Sequence, residues 1–337
     1  MSDGDAADEP GRDDGTGEGD LHVVLGTGPV GTAVARAVLD RDPDARVRAV
    51  NRSGTAAAGL AGRVELRGGD LTDSGTAREA CAGASVVYFC VQPAYTEWPE
   101  RFPPLLEGAI EGAAAADAVL VAAENLYAYG PVEGPLVEDL PYEPVGPKGR
   151  TRAAMARTLL DAHEAGRVRA TIGRASDFYG PGVTDSTVGE RVFARALARK
   201  PVYLVGDPDA AHTYTYVEDF GDALVTLGAE EAAYGEAWHV PNPETLSTRA
   251  FVRRVFERAG TEVRIRTVPG WLFRVVAQFN PTLREVRELL YEFEEPFVVD
   301  HSKYEAAFGA EPTPHRAAIE ATLAWYRERA AGSTADA

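Results

Sequence analysis

The sequence predicts an α/β fold, a doubly wound parallel sheet with a smaller mixed α/β substrate lobe behind it. Three observations predict it. The apolar run Leu21-His22-Val23-Val24-Leu25 empties into Gly26-Thr27-Gly28-Pro29-Val30-Gly31, after which Val30, Val34, Ala37 and Val38 recur at helical spacing. Short apolar runs then alternate with helical patterns, which implies parallel strands joined by right-handed crossovers. Beyond residue 180 the alternation gives way to a mixed pattern in which helices come to dominate.

The first strand, turn and helix read as the start of a Rossmann dinucleotide-binding unit. Gly26 permits the tight turn, Gly28 lets a pyrophosphate approach the backbone, and Gly31 lets the helix pack closely on the strand. Thr27, Pro29 and Val30 complete the loop, and the helix N-terminus faces the phosphates. Residues 46–51 form the second strand. It ends in Asn51-Arg52-Ser53, where an acid would hold ribose hydroxyls and an arginine accommodates a 2′-phosphate. That favours NADP(H), with NAD(H) as the alternative. Residues 64–67 make the third strand, and a helix runs on from Gly69-Asp70-Leu71 through Cys81. Asp70 and Leu71 are placed beside the adenine, although Asp70, like Asp73, also suits a helix cap. Residues 84–91 are the fourth strand, apolar as a central parallel strand must be. Val91 and Gln92 therefore fall at the carboxyl edge, where ligands bind in such sheets. Residues 118–123 are the fifth strand.

Residues 124–150 are rich in proline, glycine, tyrosine and acids, and so long an irregular segment signals a functional loop. A helix over 151–164 and a strand over 167–173 follow. The later part reads as a helix at 188–199, strands at 201–205, 214–217 and 237–240, and helices at 218 onward, 248–258, 271–279, 282–293 and 314–327. The expected organisation is an acidic disordered tail (1–20), a dinucleotide-binding domain (21–180) that borrows some core elements from later in the chain, a mainly substrate-binding lobe (181–330) and a flexible tail (331–337).

The 337 residues carry a formal charge of −18, of which −7 lies in residues 1–20. Such acidity argues against nucleic acid and anionic membranes as partners, since both demand basic patches. No apolar run reaches the roughly 18–20 residues of a membrane span, and the N-terminus is acidic where a signal peptide is basic then apolar. The expected location is cytoplasmic. Cys81 and Cys90 lack redox or metal spacing, and no His/Cys/Asp/Glu cluster has metal spacing, so no metal is expected.

Over residues 21–330 the chain resembles the extended short-chain dehydrogenases/reductases, the NAD-dependent epimerase/dehydratase group. The resemblance rests on the glycine loop, Gly69-Asp70-Leu71, Tyr129-Gly130, Arg174 with Phe178-Tyr179-Gly180-Pro181-Gly182, and Tyr214-Thr215-Tyr216-Val217-Glu218-Asp219. It implies a Rossmann domain, a C-terminal substrate lobe, a small-molecule substrate and often a homodimer. In that family a tyrosine with a lysine four residues later handles the proton, helped by a serine or threonine. None of the thirteen tyrosines here has lysine at that spacing. Lys148 and Arg152 stand in their places, and Asn125 stands where a hydroxyl is usual.

Three readings follow. In the first, the chain is an atypical oxidoreductase or epimerase-like enzyme acting on a hydroxyl or carbonyl of a sugar nucleotide or small metabolite. Lys148, desolvated beside Arg152, would then have its pKa lowered towards neutrality and handle the proton. Tyr127, Tyr129, Tyr142 and Tyr179 compete for the role from loops, and Asp177 is placed to orient a substrate hydroxyl or accept a proton. His212 and His239 read as hydrogen-bonded histidines of the second lobe. In the second reading the fold binds NADP(H) without turnover as a redox-sensing regulator. In the third it performs a non-redox step.

Overall fold

A computed structural model describes residues 19–55, 60, 62–279 and 287–335. The strands are, in chain order, β1 (Leu21–Leu25), β2 (Arg46–Asn51), β3 (Glu65–Gly68), β4 (Val86–Phe89), β5 (Val119–Glu124), β6 (Arg169–Arg174), β7 (Asp177–Tyr179), β8 (Val202–Val205), β9 (Ala211–His212), β10 (Tyr214–Tyr216), β11 (Ala237–His239), β12 (Leu246–Ser247) and β13 (Ile265–Val268). Seven of them form one parallel sheet in the order β11-β6-β5-β4-β1-β2-β3. The order reverses between β1 and β4, which opens a crevice at their carboxyl ends.

Helices cover both faces: α1 (Pro29–Arg41), α2 (Ser74–Cys81), α3 (Trp98–Ala115), α4 (Gly146–Glu164) and α6 (Val217–Ala229), with α5 (Phe193–Leu197) and α7 (Thr248–Ala259) in the lobe. Because strand side chains alternate, Val23 and Leu25 join Phe89, Leu106, Ile110 and Leu159 under α2, α3 and α4, while Val24 joins Val34, Tyr88 and Leu224 under α1 and α6. These side chains are almost wholly buried, each worth about 1.5–3 kcal/mol relative to exposure. The lobe has its own core of Tyr179, Phe193, Tyr214, Phe251 and Tyr326. There β7 pairs in parallel with β10, with Tyr214 opposite Asp177.

The chain departs from expectation at four places. Helix α4 starts at Gly146, five residues early, because Pro147 suits a first helical turn. Lys148 therefore sits on a helix and not on a loop. The helix expected at 188–199 shrinks to α5, since residues 184–192 coil tightly, with Glu190 N donating to Thr184 O. The helix expected at 282–293 lies partly outside the described residues, as does nearly all of the acidic tail, and it ends in a 3₁₀ turn, Leu290–Phe293. The last helix, His315–Ala335, runs into the expected tail.

Helix α1 begins where the glycine loop doubles back under it. A Cβ at Gly31 would lie 1.9 Å from Gly26 O. Gly31→Ala should therefore cost about 1–3 kcal/mol as an overpacking change. Urea denaturation checks this, and an unchanged midpoint would show that the contact relaxes freely.

Candidate active site

At the crevice, Gly26 takes φ +100° and its N–H donates to Val50 O at 2.8 Å, which turns the chain off β1 towards α1. Gly28 then precedes α1 with no side-chain cap on the helix N-terminus. A Cβ at Gly28 would meet no heavy atom within 4 Å. The loop thus offers open space directly before uncapped helix amides, the arrangement a phosphate fits. A side chain at Gly182 would touch Pro29, so the turn after β7 closes over this loop.

Asn51 is a tether at the end of β2. Its Nδ2 donates to Thr27 Oγ1 at 2.8 Å, and its Oδ1 accepts from Ser53 and Gly54 N–H groups. Arg52 is exposed on the turn that follows. Asp70 accepts from the N–H and hydroxyl of Thr72, and these bonds hold its carboxyl below the usual range, with Arg101 and Arg52 adding. The helix cap falls to Asp73, which accepts from Thr76 N at 2.8 Å. Leu71 is buried beneath.

Lys148 and Arg152, one turn apart on α4, are both buried. Lys148 Nζ donates to Glu288 Oε1 at 2.8 Å and lies 5.5 Å from the centre of the Tyr95 ring. Arg152 is clamped between Trp98 and Phe102, 4.7 and 4.3 Å from their ring centres. It donates to Gln92 Oε1 at 3.2 Å, and its Nη1 lies 3.8 Å from Glu124 Oε1. Burial pushes the Glu124 carboxyl up and the Arg152 guanidinium down. Arg152 Nε and Nη1, Glu124 Oε2, Glu288 Oε2 and Arg174 Nε are buried without hydrogen-bond partners. Buried polar atoms are rarely left so. Beside them Val91 is half-buried, and Asn125 turns its Oδ1 to Tyr127 N.

Tyr129 does not join this cluster. Its hydroxyl, fully buried, accepts from Arg174 Nη1 and donates to His239 Nε2 at 2.9 Å, and Arg174 also donates to Tyr142. His239 Nδ1 donates to Asp300 O, and burial, with Arg174 adding, lowers its pKa to about 3. Tyr129 and Arg174 are thus locked in a structural network. Tyr179 is likewise tied to His315 at 2.9 Å in the lobe core. Asp177 opens β7 and is held from two sides. Its Oδ2 lies 2.8 Å from His212 Nε2, and its Oδ1 accepts from Thr187 at 2.8 Å. Glu292, 2% exposed, keeps Oε1 without a partner, and burial followed by the Asp177 charge raises its pKa well above the usual carboxylate range.

Sequence reasoning missed Glu288, Glu292 and Glu124 and passed over His212 as a partner of Asp177. The Glu124-Asn125 dipeptide at the end of a strand was a signal for the third of these. Two clefts of about 170 and 370 Å³ open at the amino edge of the sheet, away from every residue above.

A parallel sheet with a glycine turn at its switch point, roofed by a second lobe, defines a Rossmann-type nucleotide-binding protein. A model of the NAD dependent epimerase/dehydratase family matches residues 23–240, and the chain belongs to that family. A search of curated proteins found no match. Among solved structures it is similar to dTDP-glucose 4,6-dehydratase from Bacillus anthracis in complex with NAD, at 15% identity over 92% of this chain and 97% of that one, TM-score 0.75. It is similar to DesIV, the dTDP-glucose 4,6-dehydratase of Streptomyces venezuelae with NAD and TYD bound, at 18% identity over 93% and 98%, TM-score 0.75. UDP-glucuronic acid 4-epimerase from Bacillus cereus, in complex with UDP-glucuronic acid and NAD, matches at 18% identity over 92% and 99%, TM-score 0.71. These likenesses establish the shared fold. Among the described residues no helix is long and apolar enough to cross a membrane.

Glu292 yields a stability prediction. Its folded pKa lies above its unfolded one, so the folded chain binds the extra proton, and stability present at low pH is lost as pH rises through the folded value. Glu292→Gln cannot undergo that loss, so its melting temperature should gain on the wild type's as pH rises above the ordinary carboxylate range. Parallel curves would show that Glu292 is not held neutral.

Proposed function

We propose that the protein is an NAD(P)(H)-dependent epimerase/dehydratase-like oxidoreductase with a non-standard proton relay, acting on a hydroxyl or carbonyl of a sugar nucleotide or small metabolite. The observation that supports this best is the buried Lys148 and Arg152 on one helix, at the carboxyl edge, with ligand-ready atoms of Arg152 and Glu124 left over. A bound nicotinamide cofactor supplies or removes a hydride.

The chain's own groups supply the rest. The uncapped start of α1 and the open face of Gly28 bind the pyrophosphate. Arg52, on the turn after β2, meets a 2′-phosphate, which favours NADP(H) over NAD(H). The free Arg152 N–H groups donate to ribose hydroxyls, and the Trp98 and Phe102 rings hold them in plane. Lys148, oriented by Glu288, donates to the substrate oxygen beside Asn125 and polarises the bond that gains or loses hydride.

Calorimetric titration with NADPH, NADP⁺, NADH and NAD⁺ tests the cofactor. Tight NADPH binding that weakens in Arg52→Ala is expected, and no binding by any of the four would remove the oxidoreductase reading. Gly28→Ala should fold with an unchanged melting temperature yet bind the nucleotide more weakly, since its new methyl points only into the phosphate space. Lys148→Ala should lose about 10²–10³ in kcat if its donor acts in the transition state. A variant with full turnover would remove Lys148 from the chemistry.

A further inference from the structure

The pair formed by Asp177 and His212 contains a proton whose place the hydrogen bonds dictate. His212 Nδ1 lies 3.1 Å from the backbone oxygen of Glu292, which only accepts, so Nδ1 carries hydrogen. Nε2 then lies 2.8 Å from Asp177 Oδ2, a contact that needs one proton between a nitrogen and an oxygen that otherwise both present lone pairs. Water reaches it only from the Asp177 side, where 14% of the side chain is exposed. The imidazole is 2% exposed, stacked between Phe293 and Phe297 at 5.2 and 5.3 Å, and tilted on Tyr214 at 4.6 Å.

The pair lies near Lys148, because Glu288, which accepts from Lys148, and Glu292, whose backbone oxygen accepts from His212, stand four residues apart in one turn. Asp177 and Glu292 both help raise the Tyr127 phenol, after the larger effect of burial and together with Tyr95. Tyr95 lies 3.4 Å from Tyr127, hydroxyl to hydroxyl, and has Lys148 Nζ over its ring. The groups facing Asp177 are His212 from β9, Thr187 from the preceding loop, Glu292 from the 3₁₀ turn, and Tyr95 and Tyr127 from the loops after β4 and β5. Glu292 adds the independent sign of a ligand: a side chain 2% exposed whose Oε1 has no partner in the protein.

We propose that Asp177 and His212, sharing one proton, are the acid/base pair that exchanges a proton with the substrate oxygen, while Lys148 only polarises it. This rests on the oxidoreductase reading above. In reduction, the carbonyl carbon takes a hydride from the nicotinamide carrier, the C=O π pair moves to oxygen, and that oxygen bonds the shared proton. Asp177 carboxylate and neutral His212 are left, and the pair is reloaded from solvent. Oxidation is the reverse, with the unloaded pair as base. The free Glu292 oxygen accepts from a second substrate hydroxyl, which points to a polyhydroxylated substrate.

Two readouts test this. In ¹⁵N-histidine-labelled protein at neutral pH, the His212 Nε2 resonance should lie between the protonated and bare limits and move to the bare limit in Asp177→Asn. A bare Nε2 in the wild type overturns the proposal. Next, small aldehydes and ketones are screened by NADPH absorbance. On any that is reduced, Asp177→Asn and His212→Asn should each lower kcat by about 10²–10⁴ and lose the alkaline limb of the pH profile. Their NADPH affinity should stay at the wild-type value. Variants that keep both kcat and the limb overturn the proposal. A wild type that binds no nicotinamide nucleotide defeats the oxidoreductase reading instead, with the nitrogen spectrum still deciding whether the proton is shared.

Discussion

Taking a cation out of water is expensive unless its neighbours repay the lost hydration, and this chain does so with three cations at one edge of one sheet. Lys148, Arg152 and Arg174 are all buried there. Each has drawn partners from distant parts of the chain: Glu288 to the lysine, Glu124, Gln92 and two aromatic faces to Arg152, and two tyrosines to Arg174. These contacts tie α4 and β6 to the loops after β4 and β5.

The three are not satisfied to the same degree. Arg174 has its donors on Tyr129 and Tyr142, and Tyr129 passes its own proton on to a histidine held neutral by burial and by the arginine itself. Of the Arg174 guanidinium, Nε alone is left without a partner. Around Arg152 more is left over, since the guanidinium and Glu124 stand 3.8 Å apart with Nε, Nη1 and Glu124 Oε2 all without partners. An incompletely paired buried ion pair is destabilising.

Legibility from sequence followed the range of the interaction. The β1-α1 unit was readable because the strand, the glycines and the apolar stripe lie within twenty residues. The places of Lys148 and Arg152 were readable as departures from a spacing. Their partners were not. Glu288 comes from 140 residues away and His212 reaches Asp177 across 35, through the parallel pairing of β7 with β10. No local pattern records such meetings. Tyr129 was misplaced for the same reason, because the Arg174 and His239 that hold it arrive from two other strands. The start of α4 was missed more locally, through the glycine and proline at its first turn.

The lobe is threaded through the sheet domain and not appended to it. After leaving the sheet at β6 the chain builds β7 to β10, then returns to lay α6 against α1 and to add β11 beside β6. Gly221 of α6 shows how firm the return is, since a Cβ there would lie 2.6 Å from the Ala33 carbonyl carbon. A cut near residue 180 would therefore not release a self-sufficient nucleotide-binding half: the surface of Val24 and Tyr88 would lose its cover and β6 would become a bare edge. Because Phe251 of α7 and Tyr326 of the last helix also belong to the lobe core, the lobe is built from chain on both sides of β11, and its exchange for another would need a junction at every crossing while preserving the packing of α1 on α6.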